Sequence, residues 1–402
     1  MNIVFLCTTP FIPSQGGVER ITDTLTKDFL QLGTINVRYL WTNQPNPDTP
    51  YTFPAPFDVF PEDPVRFEDY LKQYKVDIVI NQNGAESSLQ SYYPITRKLG
   101  VAMISVFHTT SLTTDNDVPR VFIERAKDNS ASFKKRLLNG LISLFYFSGG
   151  KFLFHHRWAS RYKKLYLNTD KVCLLSISYV KNLRQFYDDQ KNLQENKYTA
   201  IANANTFPAQ NINLASKKKQ LLFVGRFTSQ KNVFDLLKVW EQLHQKFSDW
   251  SLILVGDGEA RQKAEEYTQT HHLQNVLFEG IQNPKKYYED SSILCLTSRF
   301  EGFPMVLGEA MVHGCIPASY NSYSAIYDII DDNHNGLIIE DGQIEEFASK
   351  LARIMDDDNE REQLAKNAIK KARLFDKNTI LQQWLQLFEE VKPQKVESDG
   401  GA

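Results

Sequence analysis

Two glutamates, Glu301 and Glu309, stand eight positions apart in the stretch Glu301-Gly302-Phe303-Pro304-Met305-Val306-Leu307-Gly308-Glu309. The apolar run 293–297 before it suits a buried parallel strand, and the residues after it suit a helix that begins at Pro304 and ends before Gly314. Backbone N–H groups of Phe303, Met305 and Val306 at such a helix start would hold an anion. Glu301 would then lie on the loop beside the anion, and Glu309 on the second helical turn. That arrangement fits a ligand with hydroxyls on both sides of its phosphates, the shape of a nucleotide sugar. Glutamates at this spacing also occur as solvated surface residues, so the context has to come from the rest of the chain.

Part of that context is Gly225-Arg226-Phe227-Thr228-Ser229-Gln230-Lys231, which follows the apolar run 221–224. An Arg fork and a mobile Lys charge at the end of a strand can grip a diphosphate together. Gly16-Gly17 stands between a first strand and a helical pattern, where two glycines let backbone approach a ligand or simply form a turn. His108 ends the run 101–107, a position from which it can hydrogen-bond a substrate or serve the core.

These residues need two parallel sheets to carry them. Apolar runs at 2–6, 37–41, 76–80, 101–107 and 171–175 alternate with helical patterns in the first half. The second half repeats the alternation at 221–224, 251–255, 276–278, 293–297, 316–319 and 337–339. Val18, Ile21, Leu25, Phe29 and Leu32 recur at helical spacing after the first strand, and Gly33 stops them. The expected class is α/β, with two doubly wound Rossmann-like domains facing across a cleft and ligands at the carboxyl ends of the strands. The polar stretch 206–219 reads as the linker. The expected division is 1–207, 208–375, a last helix within 376–392, and a polar disordered tail at 393–402.

Composition sets the class. The chain has 402 residues, enough for two domains, with 42% hydrophobic and 23% charged residues. A formal charge of −2 argues against general nucleic-acid binding. The four cysteines, Cys7, Cys173, Cys295 and Cys315, lie far apart in apolar runs and read as buried thiols of a reducing compartment. Residues 1–11 lack the basic start and long apolar core of a signal peptide and read as a first strand.

Residues 129–169 differ from the rest, with eight Lys/Arg and no Asp or Glu, so the remainder carries −10. The cations flank the apolar, aromatic run 137–154, which Asn139, Gly149-Gly150 and Lys151 interrupt, so it is not expected to span a bilayer. Two arrangements fit. The segment lies on an anionic membrane, where each cation contributes about 1 kcal/mol, or it forms a buried hairpin with a solvated basic edge.

Other candidates fail. Gly256-Asp257-Gly258 begins a dinucleotide fingerprint, but Arg261 stands where the third glycine belongs. Asp115 and Asp117 could suggest a metal–diphosphate site, but no strand leads into them. His155-His156 and His271-His272 are adjacent pairs, whose side chains diverge on a helix. No metal site is expected.

Together the motifs resemble the retaining nucleotide-sugar glycosyltransferases of family four, of the bacterial surface-polysaccharide type, which have the GT-B fold. The matching pieces are Gly16-Gly17, His108, Ser176, Gly225-Arg226 with Lys231, Val255-Gly256-Asp257-Gly258, Phe278-Glu279-Gly280, the Glu301–Glu309 motif and Asn335-Gly336-Leu337. The resemblance implies that Arg226 and Lys231 bind the donor diphosphate, Ile281 lies beside the base and Glu309 holds the ribose. It assigns Glu301 and the backbone of Gly302 to Val306 to the transferred sugar and phosphate, and His108 to that sugar. It further implies a UDP-linked hexose or N-acetylhexosamine as donor and a lipid-linked or polysaccharide acceptor. No metal or other cofactor is expected, and the protein would be cytoplasmic, either throughout or as a peripheral protein on the inner face of a membrane. Three departures stand out: Pro304 and Asn232 replace frequent glycines, and Asn203-Ala204-Asn205 replaces an Asn-Gly pair. The alternatives are a catalytically silent nucleotide-sugar binder or scaffold, and an epimerase or phosphorylase of the same fold.

Overall fold

The computed structural model describes residues 1–7, 10–13, 16–41, 51–59, 63–84, 92–108, 122–123, 126, 132–184, 195–209 and 211–392. Asp115 and Asp117 lie outside them. The chain divides into two units, Met1–His108 with His155–Ala202 and Ile380–Ala402, and Thr109–Phe154 with Asn203–Thr379.

The first unit holds a seven-stranded sheet: β1 (Asn2–Cys7), β2 (Asn36–Trp41), β3 (Phe57–Val59), β4 (Ile78–Asn81), β5 (Ala102–Phe107), β6 (Lys171–Leu174) and β7 (Tyr198–Ala200). The order is β3-β2-β1-β4-β5-β6-β7, every pair parallel. β3 and β7 escape the sequence pattern because each is a three-residue edge strand, and β3 alternates only between exposed and half-buried positions. The helix Gly17–Gln31 buries Ile21, Leu25 and Phe29, and Gly33 turns the chain out of it at φ +69°. Leu32, expected on the same face, is 38% exposed. The last helix, Lys377–Val391, belongs to this unit from Ile380 onward. Phe388 packs edge-on to Phe29 at 5.3 Å, and Glu390 pairs with Lys171 at 2.9 Å.

The second unit holds β8 (Lys218–Val224), β9 (Ser251–Val255), β10 (Val276–Gly280), β11 (Ser291–Leu296), β12 (Ile316–Tyr320) and β13 (Leu337–Ile339). They form a parallel sheet in the order β10-β9-β8-β11-β12-β13. Leu221, Phe223 and Ile293 from the strands meet Trp240 of the helix Val233–Leu243 and Leu351 of the helix Ile344–Asp356 in one core. All four cysteines are buried, and none is in a disulfide.

Residues 109–154, expected with the first domain, group with the second unit instead. Here the helix Phe133–Phe145, a bend at Tyr146–Gly150 and the helix Lys151–Asn168 follow one another, with Gly149 at φ +105° making the bend. Phe122, Tyr146 and Ile142 form a small cluster of their own there. Among the described residues no helix is long and apolar enough to cross a membrane.

Candidate functional site

In an open α/β sheet the crevice for a ligand lies where strand order reverses, at the carboxyl ends of the strands. In the second unit that point falls between β8 and β11. The loop after β8 carries Gly225 to Lys231, and the loop after β11 carries Arg299 to Pro304. Their side chains meet: Lys231 Nζ lies 2.5 Å from Glu301 Oε1, with the two side chains 18% and 9% exposed. Gln230 ties the loops further, donating to Phe300 O at 3.0 Å while its own carbonyl accepts from Arg299 N–H at 2.8 Å. The family resemblance implied Lys231 on the diphosphate and Glu301 on the transferred sugar. The structure pairs them, so one ammonium, with three donors, can serve its carboxylate and an arriving phosphate oxygen. Arg226 is exposed and has no side-chain partner among the described residues.

Backbone packing explains the glycines nearby. Gly256 and Gly258, after β9, adopt φ +134° and +155°, and a Cβ on Gly256 would stand 1.9 Å from Gly225 O. Phe227 N–H donates to Asp257 O at 2.8 Å and Gly225 N–H to Val255 O at 3.0 Å, so the loops after β8 and β9 are held together. Asn232, where glycine is frequent, sits in the left-handed region at φ +49°, a conformation asparagine tolerates better than most residues. Gly280 accepts from Gly256 N–H at 2.7 Å, and the following Ile281 is 81% exposed.

The helix expected from Pro304 begins at Met305; Pro304 is its cap, at ψ 105°. Proline lacks an N–H, so the first turn offers the N–H groups of Phe303 and Val306, which have no partner among the described residues. Phe303 packs its ring on Phe375 at 5.4 Å.

Glu309 departs most from expectation. Its carboxylate is 2% exposed, with Oε1 accepting from Thr206 Oγ1 at 2.8 Å and Oε2 from the Tyr288 hydroxyl at 2.9 Å. Tyr288 is held in turn. Its ring stacks on His313 at 5.8 Å, Phe207 meets His313 edge-on at 5.0 Å, and Tyr288 O accepts from Lys217 Nζ at 2.6 Å. Burial lowers the pKa values of Lys217 and His313. His313 Nδ1 donates to Glu309 O at 2.7 Å, anchoring the helix from its far end. A ribose reaching Glu309 would have to share or displace these donors. Sequence reasoning missed Thr206, Tyr288 and His313.

The interdomain asparagine and the late Asn-Gly pair prove to be structural ties. Asn205 donates from Nδ2 to Ala372 O at 3.0 Å and crowds Gly308, where a Cβ would lie 2.3 Å from its Oδ1. Asn335 is buried, donating to Ile329 O and accepting from Asp331 N–H, and Gly336 lies against Pro317 O.

In the first unit the strand order reverses between β1 and β4. Gly16 and Gly17 open the helix after β1; Gly16 is extended, and a Cβ on it would lie 2.4 Å from Glu19 Oε2, so a carboxylate already covers this helix start. His108, after β5, is partly buried, and desolvation pushes its pKa down to about 4. Its Nε2 stands 2.5 Å from Oε1 of Gln82, just after β4. A carboxamide oxygen only accepts, so Nε2 carries the proton and the neutral ring keeps Nδ1 as acceptor. Gln82 had no signal in the sequence. Ser176 is buried and accepts from Ser178 N–H at 3.1 Å.

Among the described residues no group of three or more His, Cys, Asp or Glu side chains is placed to hold a metal ion. His271 pairs with Glu241 at 2.9 Å and His156 is exposed.

Two parallel sheets of this order define the GT-B class. Solved structures agree: the chain aligns over 97% of its length with all of a lipopolysaccharide outer core galactosyltransferase in its apo form, at 18% identity and a TM-score of 0.69. It aligns equally far with all of Anabaena HepE in complex with UDP, at 15% identity and a TM-score of 0.71. Residues 206–371 match the family model "Glycosyl transferases group 1". The matched stretch lies within the second unit and carries its whole sheet, so this part of the chain is similar to the group 1 glycosyltransferases. A Campylobacter jejuni α-1,4-N-acetyl-D-galactosaminyltransferase that acts on a diphosphoundecaprenol-linked glycan is 32% identical over 177 residues, 44% of this chain and 49% of the relative. The chain spans about half the length of the curated relatives it matches first.

Proposed function

We propose that the protein is a retaining glycosyltransferase that moves a hexose or N-acetylhexosamine from a UDP-sugar to a lipid-linked or polysaccharide acceptor in surface-glycan synthesis. The carrying observation is the contact of Lys231 with Glu301 at the reversal of the second sheet, with Arg226 exposed on the same loop. Similarity to a transferase named for a diphosphoundecaprenol-linked substrate supports the acceptor class, and a structural neighbour holding UDP supports the base.

In this reading Arg226 and Lys231 take the donor diphosphate, Glu309 the ribose, and Ile281 lies beside the base. Glu301 and the backbone from Gly302 to Val306 take the transferred sugar and its phosphate, and Gly16, Gly17 and His108 also serve the substrates. The bond from anomeric carbon to diphosphate oxygen breaks, and the acceptor oxygen bonds on the same face. The acceptor proton passes to a departing phosphate oxygen, whose growing charge Arg226 and Lys231 stabilise. No metal is required. The protein works in the cytoplasm, attached to an anionic membrane surface through residues 129–169.

The test is transfer from a panel of UDP-sugars to lipid-linked and polysaccharide acceptors, with the product anomer read by NMR and the assay repeated in EDTA. The expected outcome is an α-linked product from an α-linked donor, undiminished by chelation. An inverted product, or a reaction that stops in EDTA, overturns the mechanism. Turnover without any acceptor would favour an epimerase, and turnover requiring free phosphate a phosphorylase. Binding without turnover would favour a silent relative.

A further inference from the structure

The helix Phe133–Phe145 is inside out. Its one fully buried residue is Ser143, and its half-buried positions include Arg136, Asn139 and Gly140. Apart from Ile142, which packs on Phe122 and Tyr146, its large apolar residues point the other way: Phe133 is 76% exposed, Leu137 53%, Leu141 54% and Leu144 67%. These four recur at helical spacing and so line one face, with Leu138 and Phe145 beside it. Exposure continues through the bend at Phe147 and into the next helix at Phe152 and Leu153. Nine of the nineteen exposed large hydrophobics among the described residues thus fall within 21 positions, 133–153. A water-facing helix reverses this arrangement, and a contiguous apolar patch marks a surface that is covered in use. The buried hairpin that the sequence also allowed is therefore not what forms.

Charge selects the cover. Lys134, Lys135 and Lys151 are exposed beside this row, in a segment without a single acidic residue. Arg136 is turned inward, its Nε donating to Ala126 O at 3.1 Å. The same row of leucines lines an open groove of about 350 Å³ between Ala126, Phe133 and Leu144, with room for an apolar chain. A second copy of this chain would bring the same cations against these, whereas an anionic bilayer offers acyl chains to the leucines and phosphates to the lysines.

We infer that the outward row Phe133, Leu137, Leu141 and Leu144, with Phe147 and Phe152 at the bend, inserts into the interface of an anionic phospholipid bilayer while the surrounding lysines hold its headgroups. This deepens the membrane attachment in the function proposed above and rests on that part of it. The insertion is shallow and reversible, since neither helix can span.

Flotation of the full-length protein tests it, using vesicles of phosphatidylcholine alone and vesicles with equal parts of phosphatidylglycerol, with no nucleotide sugar or acceptor present. The protein is expected to float with the anionic vesicles only. Leu137→Ser/Leu141→Ser/Leu144→Ser should lower that binding on the order of tenfold or more with an unchanged melting temperature, because the three side chains support no core. Lys134→Glu/Lys135→Glu should also release the protein, and its residual binding should fall with added salt. No flotation of the unaltered protein, or undiminished flotation of both variants, overturns the inference. A concentration-dependent dimer that the leucine variant dissolves, without flotation, would assign the face to a second copy instead. Failure here would leave transfer to a water-soluble acceptor untouched, so it is distinguishable from failure of the glycosyltransferase reading.

Discussion

The two sheets reverse strand order at equivalent places but are equipped differently there. Between β8 and β11 of the second unit, a cation and a carboxylate meet, Lys231 with Glu301, and Arg226 stands exposed on the same loop. Next to the reversal in the first unit, at the ends of β4 and β5, a polar contact is uncharged, a neutral His108 against Gln82. One reversal point thus suits phosphate oxygens, and the other suits hydroxyls. The shared topology says where ligands go, and the side chains at each reversal say which part of a substrate each can hold.

The sharpest way to break this contrast is to remove a cation from the second sheet. Lys231→Ala or Arg226→Ala should lower kcat by roughly 10²–10³, by analogy with losing one oxyanion donor. Removing the neutral partner in the first sheet should cost less: Gln82→Ala should lower kcat/KM by about tenfold, the worth of one hydrogen bond. Steady-state kinetics on the variants decides. Near-normal turnover of Lys231→Ala, or a larger loss from Gln82→Ala, would reverse the division of labour.

A smaller effect is expected behind the charged site. Tyr288→Phe deletes a hydrogen bond to the buried Glu309 carboxylate and should cost about 1–3 kcal/mol of stability in the second unit. Thermal unfolding measures it, and an unchanged melting temperature would show that Glu309 does not depend on Tyr288. A further effect, confined to acidic pH, belongs to His108. Its folded pKa, about 4, lies below its usual 6.5, so the unfolded chain binds more protons between those values. Stability against urea should therefore fall as pH drops from 6.5 toward 4, and His108→Gln should flatten that part of the curve. A profile identical in the variant would remove the claim that His108 is neutral in the folded protein.

Much of this was legible in the sequence. The alternation of apolar runs with helical patterns pointed to eleven of the thirteen strands among the described residues, because buried parallel strands are continuous apolar runs whose signal is local. The Lys231 and Glu301 motifs were legible because each sits at a strand end. Their direct contact was not, since it joins residues 70 positions apart. Thr206, Tyr288 and Gln82 gave no signal for the same reason: each acts through a tertiary contact that no periodicity encodes. The segment 129–169 was conspicuous in composition, yet whether its leucines face in or out depends on packing, which composition does not contain.

The last helix carries a consequence for how the molecule is made. Phe388 closes over Phe29, and Glu390 reaches Lys171 across 219 positions of chain. During synthesis, the first unit is begun first but cannot finish its core until its final residues leave the ribosome. The second unit, whose sheet is continuous in sequence from 218 to 339, is complete by then. Until residues 380–391 arrive, Phe29 remains uncovered by Phe388, so nascent chains stopped short of residue 380 should expose a sticky first unit while the second is folded.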